Sequence, residues 1–174
     1  ARERELDARR IAIDVRAAAV QPAGGIDDDL AGRRAHDAEE LTLLAALAAG
    51  DTLPRPANWR LSPKAVVTYI LGGSAADGTP ISAKYIGNRR LIETAVATLA
   101  TDRALLLLGL PGTAKSWVSE HLAAAISGSS QRMIQCTAGT DENQIRYGWN
   151  YALLLANGPS RQALVKTPMA RAME

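Results

Sequence analysis

The chain has no phenylalanine, one cysteine and two histidines among its 174 residues. A lone Cys136 excludes an internal disulfide framework and a Cys-only zinc site. His36 and His121 lie too far apart in sequence to give a metal-ligand spacing. No apolar run approaches the roughly 20 residues needed to span a bilayer. The charged start, Arg2, Glu3, Arg4 and Glu5, is followed by no signal-peptide core. A net charge of +2 makes no case for a nucleic-acid partner. Trp59, Trp117 and Trp149 are not interleaved with a basic stripe, which argues against a base-stacking surface, and Arg89-Arg90 is too short to form a basic patch. The expectation is a soluble, cytoplasmic protein that engages neither membrane nor nucleic acid.

What is present is concentrated between Ala104 and Ser116, ALLLLGLPGTAKS. The apolar run Ala104 to Leu108 has the length of a buried parallel strand. It runs into Gly109, Leu110, Pro111, Gly112, Thr113, Ala114, Lys115 and Ser116, and then into a helical pattern with Trp117, Val118, His121, Leu122, Ala125 and Ile126. Strand, glycine-rich turn, Lys-Ser and helix is the layout of a phosphate-binding loop, G-x-x-x-x-G-K-[ST], with Ala114 in place of the last glycine. Small residues let backbone N–H groups approach phosphate oxygens, and the positive end of the helix adds a favourable field. Lys115 can reach the terminal phosphates, and Ser116 can place its hydroxyl on Mg2+. Because alanine resists positive φ, the loop is expected to have entered the helix already at Ala114.

The rest of the chain frames that stretch. Residues 1–16 read either as an exposed charged helix or, through Ile11, Ile13 and Val15, as a strand. Gln21 to Asp29 is loop material whose three aspartates suit a solvated cap. Asp37 to Ala49 predicts a helix capped by Asp37 and ended by Gly50, with Leu41, Leu44 and Leu47 on one face. Pro54 and Pro56 mark an extended connector. Ser62-Pro63 opens a second helix that Gly72-Gly73 ends, and Ser74 to Pro80 reads as a loop. Arg89 to Ala100 is amphipathic, with Leu91, Ile92, Ala95, Val96 and Leu99 inward. Arg132 to Cys136 reads as a second short strand with Cys136 buried, and Thr140 to Ala156 as a helix interrupted by Gly148. Arg161 to Val165 suits a turn of helix, and Thr167-Pro168 opens another. His121 reads as a partly buried packing histidine. A boundary is expected near residue 60, between a helical or flexible segment, 1–60, and the remainder, 61–174.

The loop GLPGTAKS, with alanine before the lysine, resembles the MoxR-type branch of the AAA+ ATPases. Tyr85-Ile86-Gly87-Asn88-Arg89-Arg90-Leu91 is similar to the segment preceding the phosphate loop in that family, and residues 131–148 are similar to its second strand and the loop and helix beyond. The resemblance spans residues 81–174. It implies an α/β fold, the three-layer αβα core of a phosphate-loop NTPase, incomplete in this chain. It implies binding of ATP and Mg2+ by Gly109 to Ser116 together with Trp117. Lys115 neutralises the phosphates, Ser116 meets the metal, and Ile86 and Gly87 lie at the adenine. It further implies a homo-oligomeric ring that hydrolyses ATP to remodel or chaperone a client protein.

Several components of that chemistry have no match in the chain, the sensor asparagine, the sensor arginine and the arginine finger among them. The family uses a later strand ending in Asp-Glu to hold magnesium and orient the attacking water. No apolar run ending in two acids follows Ser116. The chain begins at Ala1 and stops at Glu174 within a helical pattern, so it is expected to be the front part of a longer protein. With only two strands, each with exposed edges, it is expected to be inactive alone and to fold poorly. A phosphate-loop kinase and a non-catalytic nucleotide-binding module are the competing readings.

Overall fold

The computed structural model describes residues 10–14, 35, 37–101 and 103–172. They form two compact units, 1–130 and 131–174, and the helices on both sides of residue 60 pack within the first. Its elements are mixed helix and strand, and each sheet in the described residues has two strands.

In the first unit, Asp37 takes the extended backbone of an N-cap before helix α1, Ala38–Gly50, but its side chain makes no capping bond. The buried face of α1 is Glu40, Leu44 and Leu47, while the expected Leu41 is 44% exposed. A carboxylate therefore occupies the place anticipated for a leucine. The connector after α1 is organised by Asp51, whose Oδ2 accepts from the Ser62 amide at 2.6 Å and whose backbone carbonyl accepts from Arg55 at 2.7 Å. Burial works against the Asp51 charge, but the Ser62, Leu53 and Arg55 contacts outweigh it and hold the carboxyl below its usual range.

Helix α2, Pro63–Leu71, starts as the Ser-Pro pair predicts: the Ser62 hydroxyl accepts from the Ala65 amide at 3.3 Å, and proline fixes the first helical φ. It buries Ala65, Val66, Tyr69 and Ile70 and ends at Gly72, φ 84°. The following stretch is more than the expected loop. Strands β2, Gly73–Ser74, and β3, Pro80–Ile81, pair antiparallel around the turn at Asp77, whose Oδ1 accepts from the Thr79 amide at 2.9 Å. The chain then returns to α2, where the amides of Lys84 and Tyr85 both donate to the Ile70 carbonyl, at 2.8 and 3.0 Å. That carbonyl lies in the last turn of α2, where no partner exists within the helix.

Asn88 caps helix α3, Arg89–Leu99, by accepting from the Arg90 amide at 3.0 Å. Its buried face is Ile92, Ala95, Val96 and Thr98. Strand β4, Ala104–Leu108, follows, then the glycine-rich loop, then helix α4, Lys115–Ser127, which Gly128 ends in the left-handed region. The core joins α1 through α4. Complete burial of Ile70 and Ile92 stabilises it by about 2 kcal/mol each relative to exposure.

β4 has a parallel neighbour within the unit. Strand β1, Arg10–Asp14, pairs with it from Arg10↔Ala104 to Asp14↔Leu108. The alternation of Ile11 and Ile13 thus signals a strand, and the expectation that β4 and residues 132–136 are the only strands is corrected. A parallel pair needs a long crossover, and the crossover here includes helices α1, α2 and α3.

In the second unit the expected strand Arg132 to Cys136 is absent, and Cys136 is exposed rather than buried. The expected helix 140–156 is broken. Helix α5, Glu142–Arg146, gives way to strand β5, Tyr147–Trp149, and Asn150 then caps helix α6, Tyr151–Asn157. Gly148 marks the interruption, and its aromatic neighbours Tyr147 and Trp149 favour a strand. β5 pairs antiparallel with β6, Leu164–Lys166, which replaces the helical turn expected at 161–165. Thr167-Pro168 opens helix α7, Pro168–Ala172, as anticipated. The Thr167 hydroxyl lies 2.8 Å from the carbonyls of Ile145 and Arg146, tying α7 to the end of α5. Among the unit's described apolar residues only Ala163 is fully buried.

Candidate functional site

The loop between β4 and α4 turns on two left-handed residues. Gly112 has φ 81°, and a Cβ added there would meet nothing within 4 Å, so the backbone angle and not space requires glycine. Ala114 has φ 56° and ψ 20°. The expected helical backbone at Ala114 is therefore wrong. The missing glycine's position still needs the left-handed conformation, and alanine adopts it at a cost of about 1 kcal/mol. Such local strain is retained where the surrounding structure enforces it.

Lys115 closes the loop. Its ammonium donates to the Leu110 carbonyl at 2.5 Å and to the Thr113 hydroxyl at 3.1 Å, and the Thr113 hydroxyl donates to the same carbonyl at 2.7 Å. The Lys115 charge is thereby held over the loop formed by Leu110, Pro111, Gly112 and Thr113. Gly109, Leu110, Pro111, Gly112 and Ser116 are exposed. Ser62, Asn88 and Asn150 cap their helices with side-chain oxygens. Ala114 stands at the same position of α4 and has no side-chain acceptor. The first-turn amides of α4 therefore receive no cap from this residue, and a helix start in that condition suits an anion. A phosphate chain fits this donor set: amides, a lysine ammonium and the Ser116 hydroxyl.

Trp117 points away from the loop. Its indole N–H donates to the Lys84 carbonyl at 2.9 Å, and its ring lies 4.5 Å from that of His121. Because Lys84 precedes Tyr85, Ile86 and Gly87, this bond brings the 85–87 segment to the start of α4. Tyr85 is buried, while Ile86 is 57% exposed. A Cβ at Gly87 would come within 2.7 Å of the Tyr85 hydroxyl, so glycine is needed for Tyr85 to pack as it does. The structure thus ties the segment leading to Ile86 and Gly87 to Trp117 in the first turn of α4.

Sequence reasoning missed what lies beneath. Lys84 and Glu40, both with fully buried side chains, form an ion pair at 2.9 Å. The contact with Glu40 Oε1 falls short of hydrogen-bond geometry, but at this separation two desolvated charges attract strongly, and Glu40 is paired. Lys84 also donates to the Ser82 hydroxyl at 2.8 Å. The Tyr69 hydroxyl donates to Glu40 Oε2 at 2.9 Å and lies 3.0 Å from His121 Nδ1. One hydroxyl proton cannot serve both partners, so His121 carries its proton on Nδ1 and donates to Tyr69. Burial, reinforced by the Glu40 charge, pushes the Tyr69 hydroxyl far above its usual range. Lys84, Trp117, His121, Tyr69 and Glu40 thereby close a ring of contacts. His121, expected to be a packing residue, is fully buried and hydrogen-bonded. The signal available in the sequence was Glu40 itself, in step with Leu44 and Leu47 on the apolar face of α1.

On its other side α4 borders an apolar groove of about 620 Å³, lined by Leu105 and Leu107 of β4 and by Ser119, Leu122, Ala123 and Ile126 of α4. Lys115 and Ser116 stand at its end. Among the described residues no group of three or more His, Cys, Asp or Glu is placed to hold a metal, and no helix is long and apolar enough to cross a membrane.

Two comparisons bear on these features. The chain is 48% identical over 130 residues to the uncharacterized protein YehL of Escherichia coli (strain K12). The alignment covers 75% of this chain and 35% of that protein, so the chain spans about a third of the length of the curated relative it matches. No solved structure matches the chain. Residues 104–174, from β4 through the phosphate-type loop onward, match the AAA domain of the dynein-related subfamily, which supports an AAA+ phosphate-loop ATPase.

Proposed function

We propose that residues 109–117, together with Ile86 and Gly87, bind Mg2+-ATP. The observation that carries this reading is the loop itself: left-handed turns at Gly112 and Ala114, Lys115 folded across it, and a helix start without a side-chain cap. Gly109, Leu110, Gly112, Thr113 and Ala114 present backbone amides to the phosphates, and Pro111, which has no N–H, only shapes the turn. Lys115 leaves the Leu110 carbonyl to neutralise the terminal phosphate. Ser116 offers its hydroxyl to magnesium, and the exposed Ile86 with Gly87 forms a surface for adenine. Bound magnesium neutralises phosphate charge. The chain's own residues position the triphosphate.

Hydrolysis is proposed for a longer protein that contains this segment. It requires a carboxylate pair to hold the metal and orient water, and no apolar run ending in such a pair follows Ser116. The match to an AAA domain supports ATPase chemistry. The MoxR resemblance of GLPGTAKS supports a three-layer αβα core and a cytoplasmic ring of like subunits that remodels or chaperones a client protein.

The test is Lys115→Ala in the full chain, with Mg2+-ATP binding followed by calorimetry and folding by thermal melting. Loss of a charge-assisted contact to phosphate weakens ATP binding about 100-fold, with the melt unchanged. Equal affinity in the variant and the parent would refute the phosphate-loop reading.

A further inference from the structure

We propose that Trp117 is a positioning residue that sets the distance between the base side and the phosphate side of the nucleotide site. The proposal rests on the ATP reading above and deepens it. Trp117 follows Ser116 directly, so its backbone belongs to the phosphate side. Its indole N–H holds the carbonyl of Lys84, two residues before Ile86. A single hydrogen bond thus joins the two halves of the site.

The geometry makes that bond a fixed strut. Lys84 is held at three points: its amide on the Ile70 carbonyl, its ammonium on Glu40 and its carbonyl on Trp117. The Trp117 ring is backed by His121, one helical turn along α4, and the Nδ1–H of His121 is fixed by Tyr69. Tyr69 in turn donates to Glu40, which returns to Lys84. Neither end of the Trp117–Lys84 bond can shift without disturbing a buried, charged ring of contacts. Removing only the indole donor leaves Lys84 and Tyr85 tied to Ile70. The 84–87 segment keeps its fold and loses its register against α4.

This makes a prediction that a purely structural role does not. A ligand spanning both sides feels the strut, whereas a ligand touching only the phosphate loop does not. Trp117→Phe keeps an aromatic ring against His121 and removes the donor. Mg2+-ATP and Mg2+-tripolyphosphate are titrated calorimetrically into the full chain and the variant. In the variant ATP binding weakens about tenfold, the loss of one hydrogen bond, while tripolyphosphate affinity changes less than twofold. Trp117→Met, donor-free and flexible, gives the same split and serves if the phenylalanine variant does not melt cooperatively. Equal weakening of both ligands, or unaltered ATP binding, overturns the proposal and leaves the phosphate loop standing. A parent chain that binds tripolyphosphate but gains nothing from the nucleoside also overturns it. A parent chain that binds neither ligand refutes the nucleotide reading beneath it.

Discussion

The two faces of helix α4 were built under different constraints. Toward α1 and α2 it presents Trp117, His121 and Ala125, the last two fully buried, against a ring of charged and hydrogen-bonded side chains. Toward the groove it presents Ser119, Ala123 and Ser127, which are small and exposed. The first face is closed and chemically specified. The second meets half-buried leucines of β4 across open space, and Leu106 and Leu108 on the strand's opposite side are 47% and 48% exposed. Helix α4 therefore takes its position from the helical layer before it, and the phosphate loop inherits that position.

The comparison breaks most visibly at the buried pair. Glu40→Leu leaves Lys84 charged, buried and unpaired, and lowers the unfolding free energy by about 3–5 kcal/mol in denaturant titration. Adding Lys84→Met to it restores much of that loss, because two apolar groups replace two desolvated charges. A double variant as unstable as the two single losses summed would show the ring to be a set of independent contacts.

A matched pair of substitutions sharpens the contrast. Ala125→Leu overpacks a position with 0% exposure and lowers stability by about 1–3 kcal/mol. Ala123→Leu projects into the groove and changes stability by no more than about 0.5 kcal/mol. Similar melting shifts for the two variants would mean the faces are equally packed. A small effect of opposite sign lies at the loop. Ala114→Gly relieves the left-handed strain but adds freedom to the unfolded chain, for a net gain of about 0.5 kcal/mol by thermal melting. A loss of stability there would argue that Ala114 is unstrained.

Local signals were read well. Ser62-Pro63 and Gly72 mark helix ends that the structure places where the side-chain chemistry requires them, and Ala104–Leu108 is the expected strand in parallel pairing, though exposed on one face rather than buried. Misreadings arose where long-range contact overrides local pattern. Ala114 takes an angle its type disfavours because the loop on one side and α4 on the other leave no alternative. Tyr147 to Trp149 leave a helical register to pair with Leu164 to Lys166. Glu40 looks like a first-turn charge until Lys84, distant in sequence, arrives opposite it. The phosphate loop could be identified from residue types, whereas the ring beneath it depends on three-dimensional proximity that no spacing encodes.

The parallel pairing of β1 with β4 carries a consequence for assembly. Arg10 and Ala104 are roughly 90 residues apart, and joining the ends of an otherwise flexible segment of that length costs roughly 4 kcal/mol in chain entropy. Five short ladder positions repay little of it alone. The intervening helices α1 to α3 shorten the effective loop by folding onto one another, so the helical layer lowers the entropic cost of pairing the strand that launches the phosphate loop. The strand pairing at the nucleotide-facing edge thereby leans on the same helical layer that carries the buried ring.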